Sequence, residues 1–410
     1  MIRHDVLSAL RQLRSQPGFT FLNIFGLTLG MTCFLLLFLW IKNELGYDRF
    51  FDDAEQIYRV TTDINLRSGQ TKLYAYSTEE LSGALLEQFP EVTAAARLRP
   101  VRQLAVKWRE QMTMEDNFVF ADSGFFDVFS FSLEGGNRDI VLQKPRSLLL
   151  SRNAVNKFFP DQDPLGKTLE LGEGEVYTIT GVLGDAPPNS HLQFDFVANP
   201  GEEDIFNTNN WQALSLFTYI RLAKGTDAAL FEERIQDVIE KNLGPRGREF
   251  YRLRLQPLVS IHLHSDKEGE FSPLTDVLQL YLFSAVGILI LIVACINYIN
   301  LATARAGRRA LEVGVRKTLG ARRRRLAGQF LSEAAVFSLL ALILSLGLII
   351  LALPSFNGFA LTGLTFSPGS NLVLLFILFA AVGILSGFYP ALLLSSFSPA
   401  GVLRGKMKKG

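Results

Sequence analysis

The sequence predicts an α-helical membrane protein with four transmembrane helices plus an α+β extracytoplasmic domain inserted between the first and second helices. Three observations lead to this fold class. The 410-residue chain is 48% hydrophobic, it contains four long apolar runs, and its basic and acidic residues are separated along the chain. The formal net charge of +1 conceals that separation and gives no indication of a polyanionic partner such as nucleic acid.

Four apolar runs are long enough to cross a bilayer, because a helix spans the hydrocarbon core with about 20 residues. The runs are Phe19–Ile41, Val277–Ala302, Phe330–Leu353 and Asn371–Leu394. A charge at the centre of a membrane helix costs roughly 2.5–3.5 kcal/mol, and these runs are nearly free of charge. Glu333 lies at the start of the third run, where we expect it to reach the interface. Four such runs in one chain argue against buried helices of a soluble protein.

The first run predicts an uncleaved membrane anchor rather than a signal peptide. Its apolar stretch exceeds the roughly 7–15 residues of a signal-peptide core. The residues that follow are Lys42, Asn43 and Glu44, which do not form a small-residue cleavage site. We therefore expect the first transmembrane helix to occupy residues 19–43.

The distribution of charge predicts the orientation. Residues 1–18 contain three arginines, and the loop at 303–329 contains nine basic residues against one glutamate. Residues 44–276 contain 24 basic and 37 acidic residues, a net charge of −13. Because basic segments stay in the cytoplasm, both termini and the loop are predicted to be cytoplasmic. The domain at 44–276 would then be periplasmic, and residues 277–410 would form a three-helix permease domain in a bacterial inner membrane.

Periodicity within residues 44–276 predicts a mixture of strands and helices. Alternating β-branched and aromatic residues predict strands at Ile57–Leu66, Val176–Leu183, Ser215–Leu222 and Glu249–Ile261. Helices are predicted at Thr78–Phe89, Ser151–Phe159 and Ala228–Asn242. The last helix would place Leu230, Phe231, Ile235, Val238 and Ile239 on one apolar face.

Histidines are the first candidates for chemistry in this domain. His262 and His264 alternate at the end of a predicted strand near Asp266, and two imidazoles with a carboxylate could bind a metal. A solvent-facing strand end is the favoured interpretation, because a third strong ligand is missing. His191 is interpreted as a turn residue. We find no catalytic constellation and expect neither an enzyme active site nor a bound cofactor or metal.

The N-terminal residues 1–18 have the pattern of an amphipathic helix on the cytoplasmic leaflet. Apolar residues recur at helical spacing, and arginines provide the polar counterpart that would contact lipid headgroups. The apolar set is Val6, Leu10 and Leu13, and the basic set is Arg3, Arg11 and Arg14.

The loop at 303–329 contains a second amphipathic pattern. Leu311, Val315 and Leu319 repeat every four residues among basic side chains, and Gly320 would end a short helix. Such a helix can lie on lipid or dock in the groove of a partner protein, and charge alone does not separate the two. Nucleic acid is a poor candidate, because the loop is short, tethered and without aromatic stacking residues.

Several motifs resemble the FtsX/MacB-like ABC transporter permease family. Residues 312–321 read EVGVRKTLGA and are followed by QFLSE, which is similar to that family's loop between its second and third spans. The ending, with YPA at 389–391 and SPA at 398–400, also resembles the family. DPLGK at 163–167 and PNSH at 188–191 resemble its MacB-like periplasmic core. The resemblance extends over essentially the whole chain.

The resemblance implies a mechanism in which ATP-driven movement of cytoplasmic helices passes through the spans to the periplasmic domain. Family members work as dimers beside an ABC ATPase. No ATPase domain is recognised in this chain, so the resemblance implies an ATPase that acts in trans. The amphipathic helix of the loop at 303–329, which Gly320 would end, would be the coupling helix that contacts the ATPase. Its polar contacts would be Glu312, Arg316 and Lys317, and its apolar anchors would be Leu311, Val315 and Leu319.

The family resemblance leaves three questions open. The cargo could be a peptide, lipopeptide, lipid or lipoprotein, with a periplasmic or outer-membrane partner. Alternatively, the same movement could activate a periplasmic enzyme without transport. The chain could pair with a second copy, or it could be the first half of an eight-span protein.

Overall fold

The computed structural model of the chain describes residues 17–200, 206, 210–304, 313, 315–319, 321–360 and 362–396. These residues form two compact units. One unit is Glu44–Val277, and the other contains the helices that precede and follow it in the chain. The predicted fold class is confirmed, because the described residues include four long apolar helices and a mixed α/β domain between the first and second.

The helices are α1 (Pro17–Leu45), α2 (Leu81–Gln88), α3 (Phe125–Val128), α4 (Arg152–Phe158), α5 (Ala228–Arg234), α6 (Gln236–Leu243), α7 (Gly247–Phe250), α8 (Ile261–His264), α9 (Val277–Ala304), α10 (Arg323–Ala360) and α11 (Leu372–Ser396). Short 3-10 turns occupy Ala54–Gln56, Leu258–Ser260 and Gly369–Asn371. The four long helices α1, α9, α10 and α11 contain the four predicted apolar runs, except that Asn371 lies in the 3-10 turn before α11.

Small residues allow α1 to approach α9 closely. A Cβ atom added to Gly30 of α1 would lie 2.6 Å from the Cβ of Ala294 in α9. One turn earlier, a Cβ on Gly26 would lie 3.2 Å from the side-chain nitrogen of Asn297. Glycines four residues apart are a common means of close helix packing in membranes, where dispersion contacts replace the hydrophobic effect.

The helix α10 is longer than the sequence predicted. Its 38 residues correspond to about 57 Å at 1.5 Å per residue, well beyond a hydrocarbon core of about 30 Å. The third apolar run was predicted to end at Leu353, but the helix continues through Pro354 to Ala360. The predicted loop at 303–329 is shorter, since α9 reaches Ala304 and α10 begins at Arg323. Helices in membranes tolerate proline where neighbours satisfy the freed backbone groups.

The domain at Glu44–Val277 is built on one continuous mixed sheet. Its strands are β1 (Ile57–Asn65), β2 (Thr71–Tyr74), β3 (Ser77–Thr78), β4 (Val92–Val101), β5 (Leu104–Trp108), β6 (Gln111–Glu115), β7 (Phe118–Ala121), β8 (Leu133–Gly135), β9 (Ser147–Ser151), β10 (Thr168–Leu171), β11 (Glu175–Leu183), β12 (Phe196–Ala198), β13 (Leu214–Leu222) and β14 (Tyr251–Pro257). The order is β14-β1-β13-β4-β7-β12-β9-β11-β10-β5-β6. Three further strands pair outside this order: β2 with β1, β3 with β13 and β8 with β11. The pairs β9–β11 and β7–β12 are parallel.

Three apolar clusters stabilise this sheet. The largest is rich in phenylalanine and packs around Phe125, Phe131 and Phe217. A second surrounds Tyr177 on β11, and a third lies between the strands β1 and β13 and the helices α5 and α6. Burial of such apolar surface is the main stabilising contribution to a domain of this size.

The helices of the domain begin later than predicted or are divided. The helix predicted at Thr78–Phe89 starts at Leu81, because Ser77–Thr78 pairs with β13. The helix predicted at Ala228–Asn242 is two helices that meet at Ile235. Leu230 was placed on the apolar face, yet it is 68% exposed.

The prediction that His262 and His264 lie at a solvent-facing strand end was wrong. The strand predicted at Glu249–Ile261 ends at Pro257, and His262 and His264 lie in the short helix α8. His262 is buried rather than solvent-facing. His191 follows the turn at residues 188–189 and is also buried. Tertiary contacts, which the local sequence does not reveal, determine both positions.

Candidate functional site

The described part of the basic loop consists of residue 313, residues 315–319 and the residues from 321 onward. It includes four of the predicted docking residues: Val315, Arg316, Lys317 and Leu319. The remaining predicted site residues, Leu311, Glu312, Gly320, Arg3, Arg11 and Arg14, lie outside the described residues.

Val313 attaches this loop to the long helices. It is buried with Leu326 and Phe330 of α10 and Ala391 of α11 in a small apolar cluster. Residues 315–318 form a helical turn just after this contact, and the Leu319 N–H donates to the Val315 carbonyl at 3.2 Å. The turn is therefore held against the ends of two helices.

Val315 and Leu319 project away from that contact. They are four residues apart, which places them on one side of a helical turn. Val315 is 51% exposed and Leu319 is 82% exposed. An exposed apolar pair within a basic segment forms an amphipathic surface, which can lie on lipid or dock in the groove of another protein.

Arg316 and Lys317 link the same turn to the long helices. The Arg316 guanidinium donates to the Gln329 side-chain oxygen of α10 at 2.7 Å. The Lys317 ammonium donates to the Ser395 carbonyl of α11, also at 2.7 Å. A carbonyl at the end of a helix is a favourable partner for a cation, because the helix dipole is negative there. A displacement of the turn would therefore act directly on α10 and α11.

Glu333, at the start of the third apolar run, is buried within α10, close in sequence to the apolar cluster around Phe330. An ionisable side chain in such an environment is costly to insert and is tolerated when it is paired.

A second candidate site lies in the α/β domain, where Asp48 contacts residues 189–191. Asp48 Oδ1 accepts hydrogen bonds from the Ser190 hydroxyl at 3.1 Å and from the His191 backbone N–H at 3.0 Å. Asp48 Oδ2 lies 2.8 Å from His191 Nδ1, and both side chains are at most 1% exposed. The Asp48 N–H also donates to the Asn189 carbonyl at 2.9 Å, and the Asn189 amide donates to the Gly46 carbonyl at 2.8 Å.

The hydrogen bonds continue from His191 into the sheet. His191 Nε2 lies 2.8 Å from the Tyr219 hydroxyl on β13, and Tyr219 lies opposite Arg59 on the neighbouring strand β1. Arg59 is fully buried and makes a two-pronged ion pair with Glu270 at 2.6 and 2.7 Å. We call Asp48, His191, Tyr219, Arg59 and Glu270 the buried polar network.

His191 Nδ1 and Asp48 Oδ2 lie 2.8 Å apart, but the two atoms do not have hydrogen-bond geometry. The link between the two residues is the His191 backbone N–H, which donates to Asp48 Oδ1. His191 Nε2 and the Tyr219 hydroxyl share the next hydrogen bond, in which the donor is set by the histidine tautomer. Burial raises the pKa of the Tyr219 hydroxyl above its ordinary value, so it remains protonated.

A second histidine forms a similar contact nearby in the sequence. His262 Nε2 lies 2.6 Å from a carboxylate oxygen of Glu44, and both side chains are buried. The Tyr47 ring is stacked on the His262 ring with centroids 3.3 Å apart. Burial, together with the charges of Glu44 and Asp48, raises the pKa of Tyr47 to about 12.

These contacts hold residues 44–48 against residues 189–191 and His262. Asp48, Ser190 and His191 contain the side chains of a hydrolase triad, but they are sealed from solvent. Among the described residues, no group of three or more His, Cys, Asp and Glu side chains is arranged to hold a metal. Sequence reasoning missed the network because Asp48 and His191 are 143 residues apart. The one local signal was a histidine directly after PNS in a polar turn.

Comparisons with known proteins agree with the two-unit architecture. The model of the MacB-like periplasmic core domain matches residues 20–238, and that of the FtsX-like permease C-terminal domain matches residues 284–399. The chain is 23% identical over 285 residues to the macrolide export ATP-binding/permease protein MacB of Neisseria gonorrhoeae, covering 68% of this chain and 42% of that protein. It is 35% identical over 283 residues to the MacB of Agrobacterium fabrum, covering 65% of this chain and 40% of that protein. The chain thus spans less than half the length of these relatives.

Solved structures include two similar domains. A permease domain from Porphyromonas gingivalis has a TM-score of 0.45 and 23% identity, covering 51% of this chain and 92% of that one. The periplasmic region of MacB from Actinobacillus actinomycetemcomitans has a TM-score of 0.36 and 13% identity, covering 49% and 90%. The MacB-like sequence match extends over more than half of the chain, and the FtsX-like match over most of the remainder. The chain therefore belongs to the FtsX/MacB-like family of ABC transporter permeases.

Proposed function

We propose that this chain is a permease subunit that couples ATP hydrolysis by a partner ATPase to movement of its α/β domain. The movement would export or release a peptide, lipid or lipoprotein. The observation that supports this most directly is the exposed pair Val315 and Leu319 on a turn that is bonded to α10 and α11. The ATPase would be a separate subunit, and the permease itself would not hydrolyse ATP.

The turn at residues 315–318 is the proposed input of this mechanism. Val315 and Leu319 would enter a groove on the ATPase, with Arg316 and Lys317 as polar contacts at the edge of that groove. When the ATPase closes on ATP, the turn would move with it. The bonds to Gln329 and Ser395 would then displace α10 and α11. Leu311, Glu312 and Gly320 complete the proposed docking segment.

The orientation in this proposal follows the charge pattern. The basic loop and both termini would be cytoplasmic, and the acidic domain would be periplasmic in a bacterial inner membrane. Arg3, Arg11 and Arg14 would contact anionic lipid headgroups. A second permease copy, or a second half of a longer chain, would complete the transporter, with a periplasmic or outer-membrane partner beyond the domain. Nucleic acid is not among the proposed partners.

Substitution of the exposed pair tests this docking. We expect Val315→Ser with Leu319→Ser to reduce the co-purifying, vanadate-sensitive ATPase activity at least tenfold, because two apolar anchors are lost from the interface centre. The measurement is ATP hydrolysis per permease after affinity purification from native membranes.

Val176→Ser is the matched control, since Val176 is 51% exposed on β11 of the α/β domain. It should leave the co-purifying activity unchanged. Arg316→Ala should keep the ATPase bound but reduce stimulation of its activity by the permease. Normal ATPase recovery with the double variant would exclude this docking site.

A further inference from the structure

The buried polar network has a role that goes beyond stability, and this inference rests on the proposed function. We propose that Asp48, His191 and Tyr219 form a latch that transmits displacement of the chain at residues 44–48 to the strands β13 and β1 of the sheet. His191 is the positioning residue of the latch, since it touches both Asp48 and Tyr219.

The latch begins where α1 ends. The helix α1 ends at Leu45, and Asp48 is only three residues further along the chain. The intervening backbone has little freedom, because the Asn189 amide binds the Gly46 carbonyl and the Asp48 N–H binds the Asn189 carbonyl. Asp48 itself has φ +58, a left-handed conformation that few residues other than glycine, asparagine and aspartate adopt readily. A displacement of Asp48 must therefore displace residues 189–191.

The latch ends on two adjacent strands of the sheet. Tyr219 lies on β13 and Arg59 on β1, and the two strands pair directly, with Arg59 opposite Tyr219. Two hydrogen bonds connect Asp48 to Tyr219 through His191. The His191 N–H donates to Asp48 Oδ1, and His191 Nε2 lies 2.8 Å from the Tyr219 hydroxyl. Displacement of His191 would leave a buried group unpaired at one of these contacts, which is costly.

A purely stabilising core would not need these side chains. Apolar residues of similar volume often match or exceed the stability of a buried ionic network, because the charges lose their hydration. Buried hydrogen bonds with defined geometry instead favour one arrangement of the groups that they join. Glu44 and Tyr47, which contact His262 of α8, add a second attachment for the same segment. The arrangement suits a rigid attachment that must keep its geometry under load.

Tyr219→Phe removes the central link of the latch with minimal loss of volume. The full chain in lipid nanodiscs would be compared by hydrogen–deuterium exchange with the matched control Tyr177→Phe. Tyr177 is also a buried tyrosine, but it belongs to a different apolar cluster and its hydroxyl contacts Glu175. We expect exchange at residues 46–50 and 188–194 to accelerate about tenfold in Tyr219→Phe alone, with β9 unchanged, because local opening would be released without global unfolding.

Two outcomes would overturn the latch. Equal exchange in the two variants would show that the tyrosine hydroxyl does not hold these segments. Uniform acceleration across all strands, including β9, would show that the network only stabilises the domain. Asp48→Asn provides a second variant, since asparagine also tolerates positive φ. Combined with Tyr219→Phe, it should add little to the effect of either change alone, because both act through His191.

Exchange measured with the ATPase and ATP distinguishes failure of the latch from failure of the proposed function. With the ATPase bound, ATP should alter exchange within the α/β domain of the wild type and of Tyr177→Phe, but not of Tyr219→Phe. ATPase binding itself should be equal in all three proteins. If the wild type binds no ATPase, the proposed function fails, while the comparison without ATP still decides whether the latch exists. If ATP alters the domain equally in Tyr219→Phe, the latch does not transmit the movement.

Discussion

Single residues in the α/β domain show how strongly this fold depends on buried polar contacts. Arg59 has no exposed surface, and its guanidinium contacts Glu270, Gln256 and Ser265. The positive charge also lies 5.9 Å from the centre of the Phe217 ring. Burial opposes the charge on Arg59, but the bonds to Glu270 and Tyr219 outweigh it and raise the Arg59 pKa. The arginine is therefore charged at every physiological pH and requires its carboxylate partner.

Glu270→Gln should destabilise the α/β domain strongly. Loss of the carboxylate leaves a buried guanidinium without a counter-charge, which typically costs about 3–5 kcal/mol. The free energy of unfolding of the domain, measured in the full chain by urea titration with tryptophan fluorescence, would report the loss.

The control for this change is Glu134→Gln. Glu134 pairs with Arg152, but both side chains are at least 40% exposed, so we expect a loss below about 1 kcal/mol. Similar losses in the two variants would mean that the Arg59 pair behaves as an ordinary surface ion pair.

At the scale of elements, the long helices were predictable and the sheet order was not. Hydropathy is a local property, so the runs around Leu27 or Val382 identify a helix without reference to the rest of the chain. Caps are local too, as Ser151 accepts the Ala154 N–H at 3.0 Å at the start of α4. Pairing of β1 with β13, by contrast, joins Ile57 to Arg221 across more than 160 residues. Such long-range registers depend on side-chain packing that one sequence does not display.

Close approach of α1 to α9 depends on Gly30, and Gly30→Ala should weaken it. The added methyl group would lie 2.6 Å from the Ala294 Cβ, so one helix must move. Overpacking of this kind costs typically 1–3 kcal/mol. The midpoint of unfolding in an SDS titration of the full chain would decrease.

Gly347→Ala in α10 tests whether the effect is specific to the contact. A Cβ at Gly347 meets nothing within 4 Å, so the substitution should be neutral or slightly stabilising. If both alanine variants unfolded at the wild-type midpoint, close packing of α1 on α9 at Gly30 would be wrong.

For the whole molecule, sequence reasoning identified the family and the basic loop but not the buried polar network. The loop was recognisable because Val315 and Leu319 repeat at helical spacing within a run of arginines. Glu44, Asp48, His191 and His262 looked like ordinary polar residues of turns and helix ends, since their partners are distant in the sequence. Their significance depends on burial, and burial is a property of the assembled domain.

The charge asymmetry of the whole chain predicts which side of the membrane each unit occupies, and cysteine labelling tests it. We expect Met112→Cys in the acidic domain to react with a membrane-impermeant maleimide in intact spheroplasts, because Met112 is exposed on β6. Val315→Cys in the basic loop should react only in inverted vesicles, since basic segments remain cytoplasmic. The wild type provides the background, as its two cysteines, Cys33 and Cys295, lie in α1 and α9. Labelling of both variants from the same side would contradict the topology and, with it, the separation of an ATP-driven input from a periplasmic output.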